Sequence, residues 1–269
     1  MRDHQWRGRQ DPDPAAAVVN PFHGSAVAAR YASARPDLHR SVVEMLAARE
    51  PKPLRALDLG VGTGLSTRAL RGFAEVVVGV DASADMLRAR PDSLDSYVLA
   101  MAEMLPFRDD AFDLVTVASA LHWFGEQALA EVARVLTIGS SLAIYDVWFP
   151  AEMAGVPSFH GWATGEGLSR YAPVPKHRHD TETLHAAGFE RVWDAELRRE
   201  VEMTQLGLVA YLMTHSERIA AVQRGLETEA EQRTALTEGL DPFFADVPAR
   251  TLVFGIDIDV LHNLNSKPV

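Results

Sequence analysis

The chain has 269 residues, of which 47% are hydrophobic and 23% are charged, and its formal net charge is -11. This length and composition are typical of a globular protein with a full hydrophobic core. The acidic balance argues against a surface that follows nucleic-acid phosphates, so we expect no nucleic-acid partner. Because the chain has no cysteine, disulfides and thiolate chemistry are excluded. No apolar run reaches transmembrane length, and we therefore expect a cytoplasmic protein without a membrane partner.

The beginning of the chain shows a change from polar to periodic sequence. Residues 1–19 are polar and contain the run DPDP, which predicts a disordered leader before a single domain over 20–269. Apolar residues recur at helical spacing over 22–49, and Arg35-Pro36 divides this segment into two predicted helices. The following segment, 54–147, alternates between strand and helix patterns. Its predicted strands are 54–59, 76–80, 97–100, 112–118 and 141–147, and its predicted helices are 65–71, 84–90 and 126–136.

The regular pattern stops at 150–180, where glycine, proline and histidine dominate. This composition predicts an irregular lid or substrate-facing loop. Beyond it the pattern predicts helices at 181–187, 206–214 and 217–240 and strands at 189–201 and 251–260. Strands that alternate with helices at this spacing predict an α/β fold with a parallel sheet and right-handed crossovers.

The glycine-rich segment 56–65, ALDLGVGTGL, is the most informative part of the chain. Asp58 ends an apolar strand, and glycines at 60, 62 and 64 allow a ligand to approach the backbone at a helix N-terminus. A dinucleotide-binding turn requires a glycine at its sixth position, where this chain has Leu65. The pattern resembles the first motif of class I S-adenosylmethionine-dependent methyltransferases, acidic-x-Gly-x-Gly-x-Gly, and within them the type 11 family.

Two further segments resemble the same family. Asp81 ends the second strand in VVGVDAS, where the resemblance implies that its carboxylate binds the ribose hydroxyls, with Ala82 beside it. The alternative is that Asp81 caps the next helix. The segment AMAEMLPF at 100–107 is similar to the adenine-binding motif, but Met101 stands where the family has an acidic residue. This leaves the Ala102 N–H to contact adenine, whereas Glu103 is either an adenine contact or a solvated carboxylate.

The segment ASALHWF at 118–124 resembles a subgroup in which a His-Trp pair follows the fourth strand. Ser119 is then expected near the cofactor. His122 is the candidate general base for a hydroxyl or amine acceptor, or else a packing residue. Trp123 either forms an aromatic wall beside the sulfonium or belongs to the core.

Outside these motifs, Tyr31 is expected to hydrogen-bond the methionyl part of the cofactor, as the resemblance of the N-terminal helices implies. Three histidines, His177, His179 and His185, lack a recognised ligand spacing, so we expect no metal site. The other residues expected to contact the acceptor are His23, Trp148 and His215.

The resemblance implies a doubly wound, Rossmann-like sheet of seven strands, mostly parallel with the last strand antiparallel, and helices on both faces. It implies methyl transfer from S-adenosyl-L-methionine to an O, N or C nucleophile of a small molecule, with S-adenosyl-L-homocysteine as product. A cofactor-binding cyclase or isomerase and a non-catalytic cofactor sensor are the alternatives. The sequence predicts no particular oligomeric state. The expected cofactor-binding residues are Tyr31, Asp58, Gly60, Gly62, Gly64, Asp81, Ala82, Met101, Ala102, Glu103 and Ser119.

Overall fold

The computed structural model describes residues 20–90, 96–168 and 170–265, with the side chain of Glu166 left out. The predicted leader, 1–19, lies outside the described residues. Two helices precede the first strand, α1 (Ser25–Ala34) and α2 (His39–Arg49), and they are separated at Arg35-Pro36 as the sequence predicts. Proline at 36 disfavours helical geometry at the residue before it, which explains the break.

Seven strands form one sheet in the order β3-β2-β1-β4-β5-β7-β6. The neighbours from β3 to β5 pair in parallel, whereas β7 is antiparallel to both β5 and β6. This confirms the predicted doubly wound, mostly parallel sheet with a reversed last strand. The strands are β1 (Arg55–Leu59), β2 (Val76–Asp81), β3 (Ser96–Leu99), β4 (Phe112–Ala118), β5 (Leu136–Met153), β6 (Phe189–Met203) and β7 (Arg250–Asn263).

The central strands are apolar on both faces because helices cover both sides of the sheet. In β1, Ala56 belongs to the core cluster that also contains residues of α2 and of two later helices, α8 (Gln205–Leu212) and α10 (Glu229–Phe244). Leu57 belongs to the cluster that contains residues of α5 (Gln127–Val135). This double burial is typical of strands in parallel sheets. No helix among the described residues has the length and apolar character needed to cross a membrane. The remaining helices are α3 (Leu65–Leu70), α4 (Ala84–Arg88), α5 (Gln127–Val135), α6 (Pro157–Trp162), α7 (Thr181–Ala186), α8 (Gln205–Leu212), α9 (Ser216–Gln223) and α10 (Glu229–Phe244).

The prediction of a single helix over 217–240 was wrong, because the structure has two helices there, α9 and α10. Gly225 adopts a left-handed conformation with φ +69° just after α9. Thr228 then begins α10 with a capping box, in which its hydroxyl accepts from the Glu231 N–H and the Glu231 carboxylate accepts from the Thr228 N–H. A left-handed glycine followed by a capping box is a strong stop-and-start signal that helical periodicity alone overlooks.

The prediction of an irregular segment over 150–180 was also wrong for the first half of that segment. Strand β5 continues to Met153, and Pro150 lies inside an irregularity of the β5–β7 ladder between Trp148 and Glu152. Proline is tolerated at a bulge, where its missing N–H breaks no ladder hydrogen bond. Helix α6 and a π-helical turn at Ala163–Gly167 follow. Strands β5, β7 and β6 therefore extend beyond the end of β4 and form a wall at one side of the sheet's carboxyl edge.

Candidate cofactor and acceptor site

The three glycines of the turn between β1 and α3 have different surroundings. Gly60 has φ +72°, and a Cβ there would lie 2.5 Å from the Ala120 Cβ. A Cβ on Gly64 would lie 2.7 Å from the Tyr97 hydroxyl. Gly62 has φ +54°, and a Cβ there would meet nothing within 4 Å. Gly60 and Gly64 therefore permit close packing within the protein, whereas Gly62 borders open space in which a ligand can approach the backbone.

Asp58 lies beneath this turn and is fully buried. Its Oδ2 accepts hydrogen bonds from the Ser66 and Thr67 hydroxyls, both at 2.6 Å, and its Oδ1 accepts from the Thr116 hydroxyl at 2.8 Å. Burial raises the pKa of Asp58, and these three hydrogen bonds oppose that shift by stabilising the charged form. Because both carboxylate oxygens are occupied inside the protein, Asp58 joins β1 to α3 and β4. Its predicted direct contact with the cofactor stays a prediction.

Asp81 is half-buried at the carboxyl end of β2. Its Oδ2 accepts from the Gly62 N–H at 2.8 Å, and its Oδ1 accepts from the Ser83 N–H at 2.7 Å. Burial raises the pKa of Asp81, and both backbone hydrogen bonds lower it. Ser83, rather than Asp81, is the N-cap of α4, since its hydroxyl accepts from the Met86 N–H. Each Asp81 oxygen keeps a further lone pair, so the carboxylate can accept hydrogen bonds from a ribose diol.

The loop after β3 carries the expected adenine contacts. Met101 is 58% exposed, and Ala102 is buried. Glu103 accepts a hydrogen bond from the Gly125 N–H at 2.6 Å, which ties this loop to the loop after β4. The Glu103 carboxylate is therefore not freely solvated, because it has a hydrogen-bond partner within the protein. The Ala100 N–H donates to the Asp81 carbonyl at 3.2 Å, so the loop with the exposed Met101 thioether begins at the carboxyl end of β2.

Ser119 turns the chain away from β4 with φ +51°, a left-handed conformation that is uncommon for a residue other than glycine. Its N–H donates to the Tyr145 carbonyl at 2.8 Å, and its Oγ accepts from the Val147 N–H at 3.0 Å. Strained residues of this kind are found disproportionately at functional sites. Ser119 thereby directs the following 3₁₀-helix, Leu121–Trp123, over the glycine turn.

An aromatic cluster joins the N-terminal helix to the His-Trp pair. The Phe22 ring makes edge contacts with Tyr31 and Trp123, with centroid distances of 5.5 and 5.8 Å. The His122 ring lies 4.9 Å from the Trp123 ring. Phe22, which sequence reasoning did not select, therefore joins Tyr31 to Trp123, and His122 contacts Phe22's partner Trp123. An apolar residue just before the first turn of α1 was the available signal. His23, the next residue, is exposed.

The end of the predicted lid lies on the His-Trp pair. The His177 N–H donates to the His122 carbonyl at 2.9 Å, and the His179 Nε2 is 2.9 Å from the Phe124 carbonyl oxygen. The Lys176 Nζ is 5.4 Å from the centroid of the Trp123 ring. Within the described ranges, no group of histidine and acidic side chains could hold a metal ion. Residues 176–179, called the cover below, therefore lie against the segment that carries the His-Trp pair.

The predicted base His122 is held in its neutral form. Burial, reinforced by the positive charge of Lys176, lowers its pKa to about 3. A neutral imidazole can accept a proton, but a base with this pKa takes one from an acceptor inefficiently at neutral pH. The prediction that His122 acts as general base stays a prediction, and its lowered pKa indicates that the imidazole is neutral at neutral pH.

The remaining two predicted acceptor residues lie in different places. A Cβ added at Gly255 would overlap the Trp148 indole, and the Arg198 guanidinium carbon is 5.1 Å from the indole centroid. Trp148 thus leans over β7 toward β6, away from β4 and the glycine turn. His215 is half-buried at the start of α9 and packs edge-on against Tyr211 at 5.1 Å.

Helix α1 covers the cleft through contacts with the turn between α8 and α9. Arg30 donates to the Met213 carbonyl at 3.3 Å, and Arg35 donates to the Thr214 carbonyl at 3.1 Å. The Arg35 guanidinium also lies over the Tyr31 ring, 4.8 Å from its centroid. These contacts join helix α1 to the turn between α8 and α9.

The fold and the site define the class of nucleoside-binding methyltransferase folds. The defining features are a glycine turn after β1, an acidic residue at the end of β2 and a reversed strand in a seven-stranded sheet. Residues 57–144 match the family model described as a methyltransferase domain. The demethylmenaquinone methyltransferase of Corynebacterium kroppenstedtii is 38% identical over 104 residues, which cover 38% of this chain and 45% of that protein. The Porphyromonas gingivalis protein of the same name is 30% identical over 58% of this chain and 76% of its own length. The chain belongs to the class I S-adenosylmethionine-dependent methyltransferase family.

A solved structure shows the same fold. A protein from Anaeromyxobacter dehalogenans, proposed to be a type II methyltransferase, superposes with a TM-score of 0.65 at 23% identity. The superposition covers 85% of this chain and 97% of that one. By contrast, the chain spans about half the length of the first curated relatives that it matches. The matched residues, 57–144, include the glycine turn and the His-Trp pair and end within β5, before the part of β5 that extends beyond β4.

Proposed function

We propose that this protein transfers a methyl group from S-adenosylmethionine to a nucleophilic O, N or C atom of a small organic molecule. The observation that carries this proposal is the pairing of Gly62 with Asp81. Gly62 borders open space, and its N–H holds a carboxylate oxygen of Asp81 at 2.8 Å. The Gly62 backbone carries no side chain and therefore suits the amino-acid part of a nucleoside ligand. The oriented Asp81 carboxylate beside it suits the ribose part of the same ligand.

Different residues around the turn would contact different parts of the cofactor. Gly62 would lie along the methionyl chain, Asp81 would accept from the ribose hydroxyls, and Met101 with the Ala102 N–H would contact adenine. When bound, the cofactor supplies a methyl group on a sulfonium whose leaving group is a neutral thioether. The protein therefore mainly has to position the acceptor and exclude water. Asp58 and Gly60 act indirectly, since their contacts fix the shape of the turn.

The acceptor side of the cleft would be formed by Trp123, the neutral imidazole of His122 and the cover at 176–179. These groups lie over the carboxyl end of β4, where ligands bind in open α/β sheets. Two relatives are named demethylmenaquinone methyltransferase, which supports a small organic acceptor. The part of β5 after residue 144 and the cover at 176–179 lie outside the matched residues, which supports a choice of acceptor that is set by this chain's own residues. A cytoplasmic location also remains our proposal, supported by the cysteine-free composition.

Calorimetric titration of the wild-type protein with S-adenosylhomocysteine and, separately, with NAD⁺ tests the proposal. We expect binding of S-adenosylhomocysteine and none of NAD⁺, because Leu65 occupies the position where a dinucleotide turn needs glycine. Asp81→Asn should weaken binding, and Asp194→Asn is the matched control on the exposed face of β6. Binding of NAD⁺ alone would reject the proposed function. Recovery of intact S-adenosylmethionine after an acceptor has been converted would favour the cyclase or isomerase alternative.

A further inference from the structure

A recess of about 180 Å³ lies among the π-helical turn at Ala163–Gly167, α9 and α10. Its described lining combines two arginines, Arg170 and Arg218, with Trp162 and with small or apolar residues of α10. None of the described residues that we assign to the cofactor lines it. π-helical turns are rare and are found frequently at functional sites. Pockets for a drug-sized ligand measure roughly 300–1,000 Å³, so this recess suits one small molecule or one group of a larger ligand.

The Trp162 indole forms a fixed wall of the recess. A Cβ added at Gly167 or at Gly239 would lie 2.7 Å from this indole, so both glycines permit its close approach. Gly239 lies in the interior of α10, where glycine costs roughly 1 kcal/mol relative to alanine. The Phe243 ring of the same helix supports the indole, with 5.5 Å between the ring centroids. The recess therefore offers a ligand a rigid apolar surface.

Arg218, on α9, is a buried cation without an ion-pair partner among the described residues. It is only 3% exposed, and its Nη2 donates to the Gly167 carbonyl at 2.9 Å. Its guanidinium carbon lies 5.3 Å from the centroid of the Tyr171 ring. Arginine is almost never fully buried unless it is paired, and burial lowers the pKa of Arg218 because it disfavours the charged form. Within the described part of the chain, no residue accepts a hydrogen bond from its Nε or Nη1, so most of its five N–H donors lack an acceptor there.

The charges of Arg170 and Glu227 offset each other beside the recess. Arg170 forms an ion pair with Glu227, and the Tyr171 hydroxyl donates to the second oxygen of the same carboxylate. Glu217 precedes Arg218 on α9 and is a weaker electrostatic neighbour of Arg218 than Glu227 is. Neither carboxylate is among the described residues that line the recess. Arg218 therefore presents a positive charge to the recess that no described anion contacts.

We propose that this recess is a second ligand site, which binds a carboxylate group attached to a small apolar body through the Arg218 guanidinium. The planar guanidinium matches the two oxygens of a carboxylate. A phosphate carries more than one negative charge at neutral pH, so the single unpaired cation suits a carboxylate better. The Trp162 indole would contact the apolar body. The inference goes beyond the proposed methyl transfer and does not depend on it.

Two probes of nearly equal shape, benzoate and its uncharged analogue benzamide, test this inference. The full chain is labelled with ¹⁵N-tryptophan, and each probe is titrated while the Trp162 indole signal is followed by NMR. Trp162→Phe identifies that signal among the five tryptophans of the chain. We expect benzoate to bind at least about tenfold more tightly than benzamide, because hydrogen bonds to a charged acceptor are roughly twice as strong as neutral ones. Inorganic phosphate should bind more weakly than benzoate.

Variants at Arg218 assign the preference to its side chain. Arg218→Gln should abolish the preference for benzoate, and Arg218→Lys, which keeps the charge but loses the planar fork, should bind benzoate with intermediate affinity. Arg55→Gln is the control, because it removes an equal charge from an exposed residue at the start of β1. It should leave both affinities unchanged. Urea unfolding should show that each variant is folded. A Trp162 signal that benzoate does not shift, equal binding of benzamide, tighter binding of phosphate, or a preference that survives in Arg218→Gln would overturn the inference while the proposed function stands.

Discussion

Substituting the first and second glycines of the turn separately should separate folding from ligand binding. In Gly60→Ala the new methyl group would lie 2.5 Å from the Ala120 Cβ and 2.9 Å from the Phe124 ring, at a residue with φ +72°. The left-handed backbone costs roughly 1–2 kcal/mol, and overpacking adds roughly 1–3 kcal/mol. We therefore expect Gly60→Ala to lower the free energy of unfolding by about 2–5 kcal/mol.

Gly62→Ala carries the same backbone cost without the packing cost. With φ +54° and nothing within 4 Å of its Cβ, it should lower the free energy of unfolding by only about 1–2 kcal/mol. Its methyl group would instead enter the space assigned to the ligand. The affinity for S-adenosylhomocysteine should fall more than about tenfold, which corresponds to about 1.4 kcal/mol.

Urea unfolding and calorimetric titration of both variants, compared with the wild type, measure the two effects. The expected pattern is a large stability loss in Gly60→Ala and a large affinity loss in the better-folded Gly62→Ala. Wild-type affinity in Gly62→Ala would refute the assignment of the open space to the ligand. Equal stability of the two variants would refute the packing argument at Gly60.

Three other predictions address neighbouring residues. Asp81→Asn should weaken S-adenosylhomocysteine binding at least about tenfold by calorimetry, with little change in the unfolding midpoint. Thr116→Val removes one hydrogen bond to the buried Asp58 carboxylate and should lower the free energy of unfolding by about 1.5–3 kcal/mol. Ligand affinity in the folded fraction should stay near wild type. Unchanged stability would contradict the anchoring role of Asp58. The His122 pKa of about 3 predicts no titration of its ring signals between pH 5 and 8 by NMR. Because the folded state disfavours protonation of His122, the free energy of unfolding of the wild type should decrease as pH falls from about 6.5 toward 3. The variant His122→Gln should lose less free energy of unfolding than the wild type over that range.

Local sequence was sufficient for the cofactor half of the fold. The strands around the glycine turn were predicted closely, since β4 was predicted at its observed bounds, Phe112–Ala118. Such strands are continuous apolar runs bounded by turn residues, and their signal does not depend on distant partners. The reversed seventh strand came from the family resemblance and was confirmed by the antiparallel pairing of β7.

The C-terminal half required partners that lie far away in the sequence. Strand β5 passes Pro150 because β7, about a hundred residues later, pairs with it on both sides of the bulge. Helix α6 forms inside the predicted loop because its Phe159 is completely buried against residues of the C-terminal helices. These decisions depend on long-range burial, which local propensity cannot encode.

The sequence by itself determined the nucleoside-binding turn, because glycine positions and a strand-end carboxylate act through local backbone geometry. Only the tertiary structure decided what each of these residues does. Asp58 became an internal anchor because three hydroxyls from α3 and β4 converge on it. The contact of residues 176–179 with the His-Trp pair likewise depends on packing, because Lys176 and Trp123 lie about fifty residues apart in the sequence and meet only in the folded chain.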